Sequence, residues 1–333
     1  MFEVADRNNN MLIIGQGATA EAAGKIVPAA SQREAREKYG ASNLTEASKV
    51  AFDYGVRDVY LANTPAPQQA LDVVDALRDY DFAYVVPVGT FMSDYFLKRG
   101  GDRRTYYAEQ FLKTLGKDSL TTLVFTDKHA SLYEHIDHFL DYMLEVKDRV
   151  KNRIAGDGKL VQQNLCFVAN NLKNYRFANV LAASLLCTTP LDSYPAGDFG
   201  PAVFDLDSLD VGYNEMAYFK NSHLRGTTLE NLVNFSSTGD PLRYVLADRV
   251  KKYILRELDL DRFKGRLATP YQKMRAEEAV IDFLESQLNH SIERYKIDNV
   301  GLFRDSPGAK RLEVEFEIYP VNFKEKVAVR KEL

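Results

Sequence analysis

Cysteine occurs only twice in this chain of 333 residues, at Cys166 and Cys187. Both sit within apolar runs ("NLCFVA" and "ASLLCTT"), where a small buried thiol is expected rather than a disulfide or a metal ligand. No apolar stretch approaches the roughly 20 residues of a membrane-spanning helix, which argues against membrane insertion. The opening "MFEVADRNNN" lacks the basic-then-apolar layout of a secretory signal, so synthesis in a reducing cytosol is expected. Basic excess is missing as well. The net charge is −4, whereas a protein that tracks nucleic-acid phosphates carries a basic stripe, so no nucleic-acid partner is expected. Catalytic signatures are equally sparse: there is no Gly-x-Ser-x-Gly elbow, no Walker loop and no Glu-x-x-His or His-Glu-x-x-His spacing.

What is present reads as an ordinary globular chain, 45% hydrophobic and 27% charged, long enough for one large or two ordinary domains. From Asp240 onward 19 basic residues face 17 acidic ones, so the acidic excess lies in the earlier part. That asymmetry is suited to docking one subunit on another. The first two-thirds alternates short apolar strands with amphipathic helices, the pattern of an α/β fold with a largely parallel sheet. Strands are expected over Met11–Ile14, Asp58–Ala62, Ala83–Val88, Thr121–Thr126 and Asn164–Ala169. Helices are expected over Ser31–Tyr39, Leu44–Tyr54, Pro67–Asp79, Thr105–Leu115, Ser131–Arg153 and Tyr175–Leu186. Ser31-x-x-Glu34 and Ser131-x-x-Glu134 have capping-box spacing, Asp240 precedes Pro241 as a helix cap, and Thr188–Ala202 is a long loop.

After Asp240 the character becomes α+β. Helices are expected over about Pro241–Leu258 and Pro270–Tyr295, then strands over Tyr295–Arg304 and Arg311–Val321. In the last of these, Leu312, Val314, Phe316 and Ile318 alternate with Glu313, Glu315 and Glu317, predicting one buried face and one wet acidic face.

The stretch "LIIGQGATA" spells a dinucleotide-binding turn, Gly15-x-Gly17-x-x-Ala20. Two context requirements are missing. No convincing helix start follows Ala20, and the second strand ends in Asn63 and Thr64 where a ribose-binding carboxylate belongs. The glycines then serve to let the chain leave a buried strand sharply. His129, His135 and His138 cluster beside the apolar stripe of a helix without metal-ligand spacing, and read as a solvated or half-buried face. Glu277/Glu278 and Asp259/Asp261 read as charged surface. No catalytic, cofactor or metal residues are assigned, and an assembly protein is favoured over the alternative, a nucleotide- or metal-using α/β enzyme of unknown substrate.

The order of segments resembles that of contractile tail sheath proteins. "LIIGQGA" followed by "VPAASQREAREKYGASNLTEASKVAFDYGVRDVYLANT" is similar to the opening of that family. "NLVNFSSTGDPLRYVLADRVKKYILREL" and "RLEVEFEIYPVNFKEKVAVRKEL" are similar to its C-terminal helix and closing strands. The resemblance covers nearly the whole chain. It implies an α/β domain of subtilisin-like shape without protease activity and a C-terminal α+β domain carrying the tube-facing surface. The implied layout is a short arm over residues 1–10, the α/β domain over 11–239, the C-terminal domain over 240–325 and an exchange strand over 326–333. It also implies six subunits per ring, stacked rings around a tail tube protein, baseplate and tail terminator proteins at the ends, and a place in a virion tail assembled in the host cytoplasm.

The chain end fits that picture. Lys326, Val327, Ala328, Val329 and Arg330 form an alternating terminal strand suited to completing a neighbour's sheet. On the second C-terminal helix, Met274, Ile281, Leu284, Leu288 and Ile292 are expected to be buried. Lys273, Arg275, Glu278 and Asp282, on its charged side, are candidates for touching the tube, and the resemblance implies no cofactor.

Overall fold

In the computed structural model, residues 10–65, 73, 76–77, 80–89, 91–97, 120–157, 164–173, 177–191, 195, 202–206, 216–222, 226–232, 245–263, 269–288, 291–306, 309–320 and 325–332 are described. The expected helix over 105–115, most of that over 67–79, the arm over 1–9 and the Asp240 cap lie outside them. The chain divides into two compact units, residues 1–189 with 195–237 and residues 190–194 with 238–333.

The first unit is built on a six-stranded sheet in the order β2-β3-β1-β4-β5-β6. Its strands are β1 (Asn10–Gly15), β2 (Ile26–Ala29), β3 (Asp58–Asn63), β4 (Tyr84–Pro87), β5 (Thr122–Phe125) and β6 (Leu165–Phe167). All neighbours run parallel except β2, which is antiparallel to β3. The strands are mostly apolar because both faces are covered. Leu12, Ile14, Val85, Leu123, Phe125, Leu165 and Phe167 pack on Phe139, Met143, Val146 and Val150 of α4 (Ile136–Asp157), which lies against the short α3 (Met92–Leu97). The other face meets α2 (Asn43–Asp53) and α5 (Ala178–Thr188). Every residue from Ala178 to Cys187 is buried, as a helix that is apolar all round should be.

Several departures from the sequence reading have local causes. Helix α1 (Gln32–Tyr39) starts as expected, the Ser31 hydroxyl accepting from Glu34 N, while the Glu34 carboxylate accepts from Ala30 N. Ser131, by contrast, does not start a helix. Its N–H donates to His129 Nδ1 and its hydroxyl lies 2.6 Å from that nitrogen, so a 3-10 turn forms over Ala130–Leu132 and α4 begins five residues on. Strand β2 and the hairpin β7 (Tyr218–Ser222) and β8 (Gly226–Glu230) were not expected at all.

The second unit holds α6 (Val245–Glu257), α7 (Pro270–Gln287) and a three-stranded antiparallel sheet. Its strands are β9 (Ile292–Ser306), β10 (Ala309–Pro320) and β11 (Glu325–Glu332), in the order β11-β10-β9. Tyr253, Ile254, Ala276, Val280, Leu284, Val314, Phe316 and Ile318 form its core. Helix α7 stops at Gln287 rather than continuing to Tyr295, because the chain from Ile292 pairs with Pro320 and Tyr319 as β9. Its buried face is Ala276, Ala279, Val280 and Leu284, while Met274 is 48% exposed, Ile281 and Leu288 are half-buried and Ile292 belongs to the strand. The acidic face of β10 is also drier than expected: Glu313 is buried, and Glu315 and Glu317 are half-buried.

Candidate assembly interface

The glycine turn after β1 is closed by a side chain from the neighbouring strand. Asn63, fully buried at the end of β3, accepts from Gly17 N at 2.8 Å and donates to Thr19 O and Glu21 O at 2.7 and 3.0 Å. Thr64 N and Gly24 N complete the seam on Gly15 O and Asn63 O. A Cβ at Gly15 would lie 2.5 Å from Val88 Cγ2, and one at Gly17 would lie 3.0 Å from Asn63 Oδ1. The close approach that a dinucleotide turn reserves for pyrophosphate is here occupied by Val88 and Asn63. The residue that broke the motif in the sequence is thus the one that fills it in the structure.

A crevice of about 670 Å³ opens at the carboxyl ends of β4 and β5, lined by Asn43, Phe91, Thr126, His129, Phe177 and Asn179 among others. The carboxyl end of a parallel sheet is where α/β enzymes hold ligands. Three of its polar side chains are engaged by the scaffold. Asn179 Nδ2 donates to Pro87 O and Val124 O, Thr126 Oγ1 donates to Val168 O, and His129 Nε2 lies 2.6 Å from Leu172 O. The described lining holds no carboxylate, lysine, arginine or cysteine. Just behind it, buried Asp127 accepts from Ser93 N, Lys128 N and the Tyr142 hydroxyl. Burial, with that bond to Asp127, holds Tyr142 above the ordinary phenol range.

The remaining candidates separate cleanly. His135 and His138 are exposed with rings 5.4 Å apart, while His129 is committed elsewhere. Among the described residues no three His, Cys, Asp or Glu side chains are grouped to hold a metal ion, and no helix is long and apolar enough to cross a membrane. Both cysteines are buried and neither forms a disulfide, and burial pushes the Cys166 thiol up to about 12.

Two surfaces of the second unit stand out instead. On α7, Lys273, Arg275, Glu278 and Asp282 are exposed, joined by Tyr271 and Met274, which are 59% and 48% exposed. Arg275 and Glu278 lie 3.8 Å apart, a surface pair of small energetic weight.

The other surface is the edge of the three-stranded sheet. Strand β11, which carries Lys326, Val327, Ala328, Val329 and Arg330, pairs with β10 through eight residue pairs. Its register sets Val329 opposite Val314 and Val327 opposite Phe316. At the alternate positions it sets Glu332 opposite Arg311, Arg330 opposite Glu313 and Lys326 opposite Glu317. On the β9 side, Arg294 stacks on the Tyr319 ring at 4.0 Å across the ladder. The cross-strand complementarity escaped the sequence reading because it exists only once the register is known.

No family model and no curated protein matches the chain. Solved structures do match it in fold. The sheath tail protein of Desulfitobacterium hafniense superposes with a TM-score of 0.64 at 10% identity, over 100% of this chain and 99% of its own. The sheath tail protein Lin1278 of Listeria innocua gives 0.59 at 10% identity over 97% and 94%. The sheath complex of an extracellular contractile injection system, PVC, in its contracted state gives 0.65 at 12% identity over 94% and 88%. The chain has the fold of these sheath proteins.

Proposed function

We propose that the chain is the structural subunit of a contractile tail sheath. Copies polymerise as stacked rings of six around a tail tube, and contraction drives the tube through the envelope of a target cell. The observation that carries this reading is the fold match over 100% of this chain and 99% of a sheath tail protein. An α/β unit alone would be shared with many enzymes, but here the second unit is matched as well. The scaffold-engaged polar groups of the crevice and the filled glycine turn agree with a structural rather than a catalytic role.

In this reading the first unit is the subtilisin-shaped α/β domain and the second carries the tube-facing surface, with Lys273, Arg275, Glu278 and Asp282 of α7 as contacts. Baseplate and terminator proteins close the two ends of the sheath, in a virion tail assembled in the host cytoplasm. Strand β11 links subunits by leaving its own β10 for that of a neighbour. Eight residue pairs give roughly eight backbone bonds at about 1 kcal/mol net each, strong enough to hold a lattice when repeated round many subunits. Deleting residues from Lys326 onward tests the link: electron microscopy of the truncated chain is expected to show folded subunits without sheaths. Intact, contractile sheaths from that variant would overturn it.

A further inference from the structure

The β10–β11 ladder carries a charge pattern that does more than neutralise a surface. Reading along β10, Arg311, Glu313 and Glu317 stand opposite Glu332, Arg330 and Lys326, three complementary pairs on one face. Across the other ladder, Arg311 and Glu313 stand opposite Phe303 and Gly301, so of the two neighbouring strands it is β11 that sets charges opposite them. Glu313 is 6% exposed, so a like charge set opposite it is costly.

The pattern also discriminates between registers. The period-two alternation already disfavours one-residue slips, because these would take Val327 and Val329 out of register with buried Phe316 and Val314. Two-residue slips keep the apolar face and must be excluded in some other way. Sliding β11 by two residues in one direction brings Arg330 opposite Arg311, and in the other direction brings Glu332 opposite Glu313. Each slip sets one like-charged pair in directly opposed positions and, although Glu315 then meets Lys326 or Arg330, keeps fewer complementary pairs than the three of the native register.

We infer that Arg311 and Glu313 of β10 form a charge-coded acceptor for the β11 strand of a second copy of this chain, with Arg330 and Glu332 as the matching code. The inference rests on the sheath reading, in which β11 is exchanged between subunits. The code favours a strand of its own sequence in the native register. A sheath whose subunits rotate during contraction then keeps every link aligned, because a slipped strand sets like charges against each other.

The test uses four full-length chains of identical composition and net charge: wild type, the acceptor swap R311E/E313R, the donor swap R330E/E332R, and the fourfold swap combining both. Each half swap sets two like-charged pairs in the native register and is expected to weaken strand pairing roughly thirtyfold. Tubes counted by electron microscopy should disappear, and the melting temperature of each half swap should fall. The fourfold swap should restore both readouts. An equal mixture of acceptor-swap and donor-swap chains should also form tubes, since each strand then meets a matching acceptor on the other chain.

A fourfold swap no better than its halves would overturn the code. A fourfold swap that works, with a mixture that does not, would overturn recognition between copies and leave β11 on its own chain. Should the E313R change alone unfold the acceptor swap, the donor swap and its rescue by the fourfold swap decide the matter. Wild-type chains that never form tubes would instead dismiss the sheath reading, and the melting temperatures would still decide whether the pairs fix the register.

Discussion

Replacing Asn63 tests whether the glycine turn is a closed structural seam or a nucleotide cradle. Asn63 makes three bonds of 2.7 to 3.0 Å from a fully buried position, one accepted from Gly17 N and two donated to backbone carbonyls. Asn63→Ala removes all three and leaves a buried Gly17 N–H, at a cost of about 2–4 kcal/mol. Asn63→Asp is the more telling change, since it installs the acidic residue that a dinucleotide site requires. In this structure it keeps the Gly17 bond but turns the other carboxylate oxygen toward Thr19 O and Glu21 O, costing about 4 kcal/mol at neutral pH.

The pH dependence has a definite sign. The folded state raises the new carboxyl above its unfolded value of about 3.9, so on raising the pH the unfolded chain gives up its proton first. The penalty is therefore absent below about pH 4 and grows as pH rises through the folded value. Urea unfolding followed by circular dichroism reads the effect as a midpoint lowered by about 1 M or more at pH 7, taking an m-value of roughly 3 kcal/mol per M. Unchanged midpoints, or a rise in melting temperature of N63D on adding a dinucleotide, would refute the reasoning.

Three further outcomes follow from the same packing. Gly15→Ala drives a Cβ to within 2.5 Å of Val88 Cγ2 and should cost about 1–3 kcal/mol, measured by urea denaturation, with Val88→Ala in the same chain recovering part of it. On α6, buried Lys252 and Asp248 pair at 2.6 Å; Lys252→Met alone should cost about 3–5 kcal/mol, and Lys252→Met with Asp248→Leu much less. Because burial chiefly holds Lys252 below its ordinary value, the unfolded chain binds more protons as pH climbs toward 10.5, so wild-type stability relative to K252M should rise over that window. Exchanging the charges of Arg275 and Glu278 keeps their surface pairing, so melting should shift by less than about 0.5 kcal/mol while co-sedimentation with tail tubes falls.

The central strands were legible because helices on both faces of the sheet leave an unbroken apolar run, as in Met11–Ile14 and Thr122–Phe125. Strand β2 was not. Its four residues include Pro28 and follow Gly24, and only pairing with β3 makes them a strand. On α7 the largest apolar side chains misled, since the helix is buried through Ala276 and Ala279 while Met274 stays outside. Close approach of a helix through alanines is a property of its neighbour's surface, which periodicity does not carry. The charge pattern of the terminal strands was visible as alternating letters, but its meaning depended on which residues face each other. The failure of the dinucleotide motif could be read from Asn63, whereas its role as the filler of the turn required the fold.

The sheath reading is tested most directly by negative-stain electron microscopy of the purified full-length chain over a range of concentrations. Long hollow tubes with a regular helical repeat, wide enough to enclose a tail tube, are the predicted result. A chain that remains a monomer or dimer at every concentration, with or without tail tubes present, would contradict it.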